Sequence, residues 1–172
     1  VCDQTINGKK RYTCNGAFTT GSAPYDIIED LLTSMGGSLW YSQGKWRVKP
    51  AYWTVPTESF NEDDLRSSIA VVTRTSRRDN FNEVRGTYRG QETNWVPTDY
   101  PRVRSSFAVS TDGGIESSID VPLAFTDNYI EARRLARIAL ERNRQQLVVS
   151  ASFGLRALSV QVGDNIRLTN DR

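Results

Sequence analysis

The stretch PYDIIEDLLTSMGGSLWYSQGKWRVK, Pro24 to Lys49, decides the fold class, because it changes period in the middle. Ile27, Ile28, Leu31, Leu32 and Met35 recur at helical spacing and make one apolar face. Pro24 suits the first turn of a helix, where its missing N–H would have no partner, and Asp26 and Glu29 lie near the positive end of the helix dipole. Gly36-Gly37 supplies the left-handed exit. The period then drops to two. Ser38-Leu39-Trp40-Tyr41 and Lys45-Trp46-Arg47-Val48-Lys49 alternate around Ser42-Gln43-Gly44, which predicts a hairpin. Trp46 and Val48 share one face, expected to lie in the core under the helix, and Lys45, Arg47 and Lys49 share the other. Pro50 stops the ladder.

Downstream, Ala51 to Phe60 reads as an extended edge segment, and Asn61 to Arg66 as one helical turn with an Asn cap. Ile69 to Thr75 and Asn82 to Arg89 read as strands. Gly90 to Arg102 reads as a long loop. Val103 to Ser110 reads as a strand that turns at Asp112-Gly113-Gly114 and returns to Val121. A second helix starts near Asn128, with Glu131 at capping-box spacing. Leu135 and Ile138 should be buried on it, and Arg133, Arg134 and Arg137 exposed. Leu147 to Phe153 and Asn165 to Thr169 read as the last strands, the final one without a partner. Upstream, Val1 to Ser22 is polar, with only Arg11 to Cys14 strand-like. The order predicts an α+β fold with antiparallel β-sheets, as a partial barrel with two helices. Residues 1–23 form an extended lead-in, 24–125 an α+β module, and 126–172 a helix plus returning strands packed with that module. The chain starts at Val1 and stops just after a strand, and reads as a piece of a longer protein.

Composition narrows the chemistry. The 172 residues are 38% apolar and 24% charged, with 22 Lys+Arg against 20 Asp+Glu, a net charge of +2. Such a balance disfavours wholesale phosphate neutralisation as the main task. No histidine is present, which removes the Ser-His-Asp triad, the common zinc sites and a histidine general base. Cys2 and Cys14 are read as free thiols, with a disulfide the open alternative.

Several groups invite a functional reading. Glu62-Asp63-Asp64 is the densest acidic cluster, but adjacent residues on one turn do not converge as the two carboxylates of a glycosidase must. Asp112-Gly113-Gly114 lacks the further oxygen ligands of a calcium loop and is read as a hairpin turn. Arg133, Arg134, Arg137, Arg142 and Arg144 resemble a nucleic-acid helix, yet Glu131 and Glu141 dilute the charge and favour a solvated face. Arg74, Arg77 and Arg78 form a second basic patch, which equally suits the rim of a subunit contact. Among Trp40, Trp46, Trp53 and Trp95, Trp95 with nearby Tyr100 is the best candidate for exposed aromatic contact.

Longer motifs add a resemblance. RYTCNG (Arg11–Gly16), DIIEDLLTSMGG (Asp26–Gly37), GKWRV (Gly44–Val48), SRRDNFNEVRGT (Ser76–Thr87), ARIALERNRQQ (Ala136–Gln146) and VGD (Val162–Asp164) occur in order. Together they resemble the tip attachment protein J, or host specificity protein, family of lambda-like tailed phages and prophages, over roughly Arg11 to Thr169. The resemblance implies a structural virion protein at the tail tip, made in the host cytoplasm and without catalysis. It implies a fold like that of baseplate hub proteins, a trimer in the intact parent, and neighbouring tail proteins as partners. Nucleic acid would only pass through the hub, without specific binding. No catalytic, cofactor or metal residue carries over, no cofactor is implied, and the receptor-binding end lies outside these residues. The alternative reading is a carbohydrate- or receptor-binding module of a phage tail with Trp95 and Tyr100 at its site. A tail-associated hydrolase piece is the third.

Overall fold

In a computed structural model that describes residues 1–6, 8–73, 76 and 79–170, the chain opens with a two-stranded ribbon of β1 (Thr5–Ile6) and β2 (Lys9–Lys10). Helix α1 spans Pro24–Thr33, with Pro24 in the first turn and Asp26 beside the positive end of the dipole. The Gly37 N–H closes on the Leu32 carbonyl at 2.9 Å, and Gly36 takes a φ of 53°. No residue of α1 is fully buried: Ile27, Leu31 and Leu32 are half-covered and Ile28 is exposed.

The hairpin follows as β3 (Ser38–Ser42) and β4 (Lys45–Lys49), joined by Gln43 and Gly44 alone. Their φ values of 53° and 76° are those of the turn whose twist suits a two-residue hairpin. The faces are the reverse of the expectation. Register puts Leu39 opposite Val48 and Tyr41 opposite Trp46 on one side. The covered side is the other one. There the Trp40 ring lies close over the Gly163 turn, and Lys49 Nζ donates to the Gly163 carbonyl. Trp46, expected in the core, is 70% exposed.

The remaining elements are β5 (Glu58–Phe60), a 3-10 turn at Glu62–Asp64, β6 (Ala70–Val72), β7 (Glu83–Arg85) and β8 (Thr87–Tyr88). Then come a 3-10 turn at Gln91–Thr93, β9 (Thr98–Asp99), β10 (Val103–Arg104), α2 (Ser106–Thr111) and β11 (Ser118–Asp120). Helix α3 (Tyr129–Arg144), β12 (Val148–Ser150), a 3-10 turn at Leu155–Ser159 and β13 (Ile166–Leu168) complete the chain.

The fold is α+β, built of small sheets, and the described residues form three α-helices rather than two and no closed barrel. The additional helix is α2, where the sequence suggested a strand. Ser105 accepts a hydrogen bond from the Ala108 N–H at 3.2 Å and caps it, and Ala108 and Val109 turn into the interior. Asp112-Gly113-Gly114 is therefore a helix exit, with the Gly114 N–H on the Val109 carbonyl at 2.9 Å. The helical crossover lets β11 return parallel to β7 while β10 lies antiparallel on its other side. The final strand is not partnerless either: β13 pairs in parallel with β5. β12 pairs antiparallel with β6.

The expected Asn82–Arg89 strand breaks at Gly86, whose φ of 156° steps the chain from β7 to β8. A Cβ there would stand 2.2 Å from the Val121 carbonyl oxygen, so only glycine fits. The core gathers around this step. Val84, Tyr88, Tyr100 and Leu123 pack with Ala132, Leu135, Ala136 and Leu140 of α3 and with Tyr12 from the lead-in. Burying each large apolar side chain of this set stabilises by about 1.5–3 kcal/mol. The lead-in is thus docked on this chain. The Tyr12 hydroxyl donates to the Ala51 carbonyl at 2.5 Å, and the Asn15 N–H to the Phe125 carbonyl at 2.9 Å.

Candidate functional site

The acidic cluster is split by its surroundings. Asp64 accepts from Arg156 at 3.0 Å and from the Asn61 N–H at 3.1 Å. Glu62 and Asp63 point to solvent from the same turn. An open cleft of about 840 Å³ lies beside Asp63 and Asp64, with Arg66, Phe153 and Arg156 on its walls. Arg156, already paired with Asp64, also approaches Glu58 at 3.9 Å and stacks over Phe60. The arrangement ties β5 to the Leu155–Ser159 turn, and no second carboxylate stands across the cleft from Asp64 among its lining residues.

The five arginines of α3 do not act as one face. Arg144 makes a forked pair with Asp112 at 2.9 and 3.2 Å and also donates to Asn80. Asp112 in turn accepts from Asn82, a fully buried residue that also bonds Ile115 and Ser117. This network fastens the exit of α2 to β7 and to the end of α3. Arg142 donates to the Gly36 carbonyl at 2.6 Å, and Arg137 pairs with Glu141 one turn on. Arg134, expected to be exposed, is half-buried with its guanidinium 5.1 Å from the Tyr12 ring centre. Leu135 is buried as the spacing requires, whereas Ile138 is half-covered. Arg74, Arg77 and Arg78 lie outside the described residues.

The expected capping box at Asn128 is replaced by other bonds. Asn128 Oδ1 accepts from the Ile130 N–H, while Glu131 turns inward and takes the Thr13 N–H at 2.9 Å and the Thr13 hydroxyl at 2.7 Å. Glu131 is 4% exposed, and burial pushes its carboxyl above the usual range. A partner so far away in sequence leaves no local signal, which is why the spacing to Asn128 misled.

Trp95 and Tyr100 do not form a joint aromatic platform. Trp95 is partly exposed in a left-handed backbone conformation, but Tyr100 is 3% exposed and its hydroxyl donates to the Val121 carbonyl at 3.0 Å. Burial pushes the Tyr100 phenol up to about 12. Among the described residues no group of three His, Cys, Asp or Glu side chains is placed to hold a metal ion. Cys2 and Cys14 are unpaired, and no described helix is long and apolar enough to cross a membrane.

What the fold presents instead is apolar surface carried on regular backbone. On the hairpin, Tyr41, Trp46 and Val48 stand side by side, with the Tyr41 and Trp46 rings edge to face at 5.2 Å. On the β6–β12 ribbon, Val71, Val72, Val148 and Val149 are all exposed, so both of its faces are open. Leu155 and Leu158 project from the nearby 3-10 turn at 85% and 81% exposure. Scattered surface leucines need no explanation, but aromatics and valines clustered on short, two-stranded ribbons are the candidate contact surfaces of this chain.

Mixed small sheets around a helix-backed core, with apolar ribbons facing outward, define an α+β domain. A family model described as "Putative phage tail protein" matches residues 23–172, and the chain belongs to that family of phage tail proteins. It is also similar to a protein named "Baseplate hub protein pb3" of Escherichia phage T5, with 22% identity over 158 residues. That match covers 92% of this chain but 16% of the T5 protein, so the chain spans a small part of its relative's length.

Proposed function

We propose that the chain is a structural segment of a tail-tip hub in a tailed phage, supporting host attachment and DNA delivery without catalysis of its own. Residues 24–125 and 126–172 serve as one module in this reading, because β5 and β6 take their partners from the second segment. The intact parent forms a trimer around the tail axis, in contact with neighbouring tail proteins, and nucleic acid passes the module without specific binding. The resemblance to host specificity proteins of lambda-like phages and the likeness to a T5 protein named as a baseplate hub support it. The observation that carries it is the exposed Tyr41–Trp46–Val48 face. Burying such an aromatic against a neighbouring copy contributes at most about 1.5–3 kcal/mol.

The test uses the full-length tail protein, wild type and Trp46→Glu. Light scattering over a range of concentrations should show a trimer for the wild type and dissociation for the variant, with an unchanged circular-dichroism spectrum because a surface exchange leaves the protomer fold intact, and with the wild-type melting temperature falling toward that of the variant on dilution. A full-length protein that stays monomeric, or a Trp46→Glu trimer as tight as the wild type, overturns the reading.

A further inference from the structure

Thr13 is held between two carboxyl groups that its single hydroxyl hydrogen cannot both satisfy. Its Oγ1 lies 2.7 Å from Glu131 Oε2 and 3.1 Å from Asp127 Oδ1, while its N–H donates to Glu131 Oε1 at 2.9 Å. A threonine hydroxyl has one hydrogen to give. If both carboxyls are ionised, one of the two contacts places oxygen lone pairs against a negative charge with no proton between. One added proton on Glu131 Oε2 completes the set. Glu131 then donates to Thr13 Oγ1, Thr13 donates to Asp127 Oδ1, and the Thr13 N–H keeps Glu131 Oε1.

We propose that Glu131 is a proton-operated latch: its neutral carboxyl fastens the N-terminal strap, residues 11–16, to α3, and its ionisation loosens that strap. This goes beyond the assembly role and does not depend on it. The strap lies outside residues 23–172, which match the tail-protein family, yet it fills a core position with Tyr12. Its other ties to the described residues beyond the lead-in are the Tyr12 hydroxyl on Ala51, the Asn15 N–H on Phe125, and two cation–ring contacts, Arg11 over Tyr52 and Arg134 over Tyr12. Thr13 is the tie that a proton can change.

The charged groups around Glu131 act in opposite senses. Burial raises its affinity for the proton most, and the Asp127 charge from the turn before α3 adds to this. The Thr13 bonds and the Arg134 guanidinium, one turn along α3 and over the Tyr12 ring, oppose it. Tyr12, the strap's buried titratable group, is itself raised by burial and stays neutral throughout. The net direction for Glu131 is upward from 4.5. A carboxyl raised in the folded state stabilises fully below its ordinary value, and that contribution is lost as pH rises through the folded value. The latch is therefore tight in acid and slack at higher pH.

Amide exchange of the whole chain, corrected for intrinsic rates, tests this between about pH 4.5 and pH 8, the window in which a raised carboxyl titrates. Protection at Thr13 and Asn15 should fall with rising pH relative to Leu140 in α3. The fall should be about tenfold for each unit by which Glu131 is raised. Glu131→Gln, whose amide donates to Thr13 Oγ1 and accepts the Thr13 N–H at every pH, should hold protection level. Asp127→Asn should move the fall to lower pH. A wild type with level protection, or a Glu131→Gln variant that loses protection as the wild type does, overturns the latch. Should Glu131→Gln not fold, carbon-13 titration of the Glu131 carboxyl decides: a midpoint at or below 4.5 overturns it, and one above 4.5 that coincides with the loss of protection and moves down in Asp127→Asn supports it.

Discussion

Gly86→Ala is the most demanding test of the core geometry. The added Cβ would sit 2.2 Å from the Val121 carbonyl oxygen, 2.7 Å from its carbon and 2.9 Å from the Tyr100 hydroxyl. The nearest obstacle is backbone, so it cannot swing aside as a side chain would. Making room means displacing the segment after β11. That movement breaks the bond from the Val121 N–H to the Arg85 carbonyl, 2.8 Å, and the bond from the Tyr100 hydroxyl to the Val121 carbonyl, 3.0 Å. Each buried polar group left unsatisfied costs about 1–3 kcal/mol, and holding alanine at this backbone conformation adds about 1–3 kcal/mol. The sum, about 3–9 kcal/mol, is comparable with the whole stability of an ordinary domain. For a chain of this size it lowers Tm by at least roughly 6 °C. Urea titration with Gly21→Ala beside it makes the comparison: a Cβ at Gly21 meets nothing within 4 Å, so that change should stay within about 1 kcal/mol. A Gly86→Ala protein less than about 1 kcal/mol below the wild type would show that β7 and Val121 do not approach as described.

Two further outcomes are expected. Leu135→Ala should destabilise by about 2–5 kcal/mol, and Arg133→Ala by no more than about 0.5 kcal/mol, since the first side chain is in the core and the second in solvent; equal shifts in denaturation midpoint would mean the faces of α3 are misassigned. In an alkaline titration followed by tyrosinate absorbance, the latest part of the rise should include Tyr100 and lose one tyrosine in Tyr100→Phe. The Tyr100 phenol is raised from 10.0 to about 12, so the stability it contributes is whole below 10 and is lost as pH climbs through 12.

Local signals were legible where the chain forms structure with its near neighbours. The Pro24 start, the Gly36-Gly37 exit and the Gln43-Gly44 turn are written in residues whose backbone preferences leave little choice. Asn128 marked the start of α3 for the same reason. The misreadings share a cause. Val103 to Ser110 alternates well enough for a strand, and only the Ser105 cap and the inward pair Ala108-Val109 tip it to a helix. Trp46 and Val48 form the more apolar face of the hairpin, but the Gly163 turn from the far end of the sequence covers the opposite face. Glu131 answers to Thr13, and Tyr100 to Val121, across gaps that no window of sequence spans. The apolar ribbons of the candidate assembly surface were visible as strands, yet their exposure depends on which segments pack over them, and that is settled only in three dimensions.

The pairing of β6 with β12 and of β5 with β13 has a consequence for synthesis. Phe60 bonds alongside Leu168, and Val71 faces Val149. Both upstream strands therefore leave the ribosome long before their partners exist. At about 5–20 residues per second the wait is roughly 5–20 s for a gap of this length. During it Ile69-Ala70-Val71-Val72-Thr73, β-prone and without a charge, has free hydrogen-bonding edges on both sides. The α1 helix and the β3–β4 hairpin can form at once from local contacts, but the ribbons must close last. A nascent chain at this stage is most exposed to pairing with another copy of itself through that valine strand.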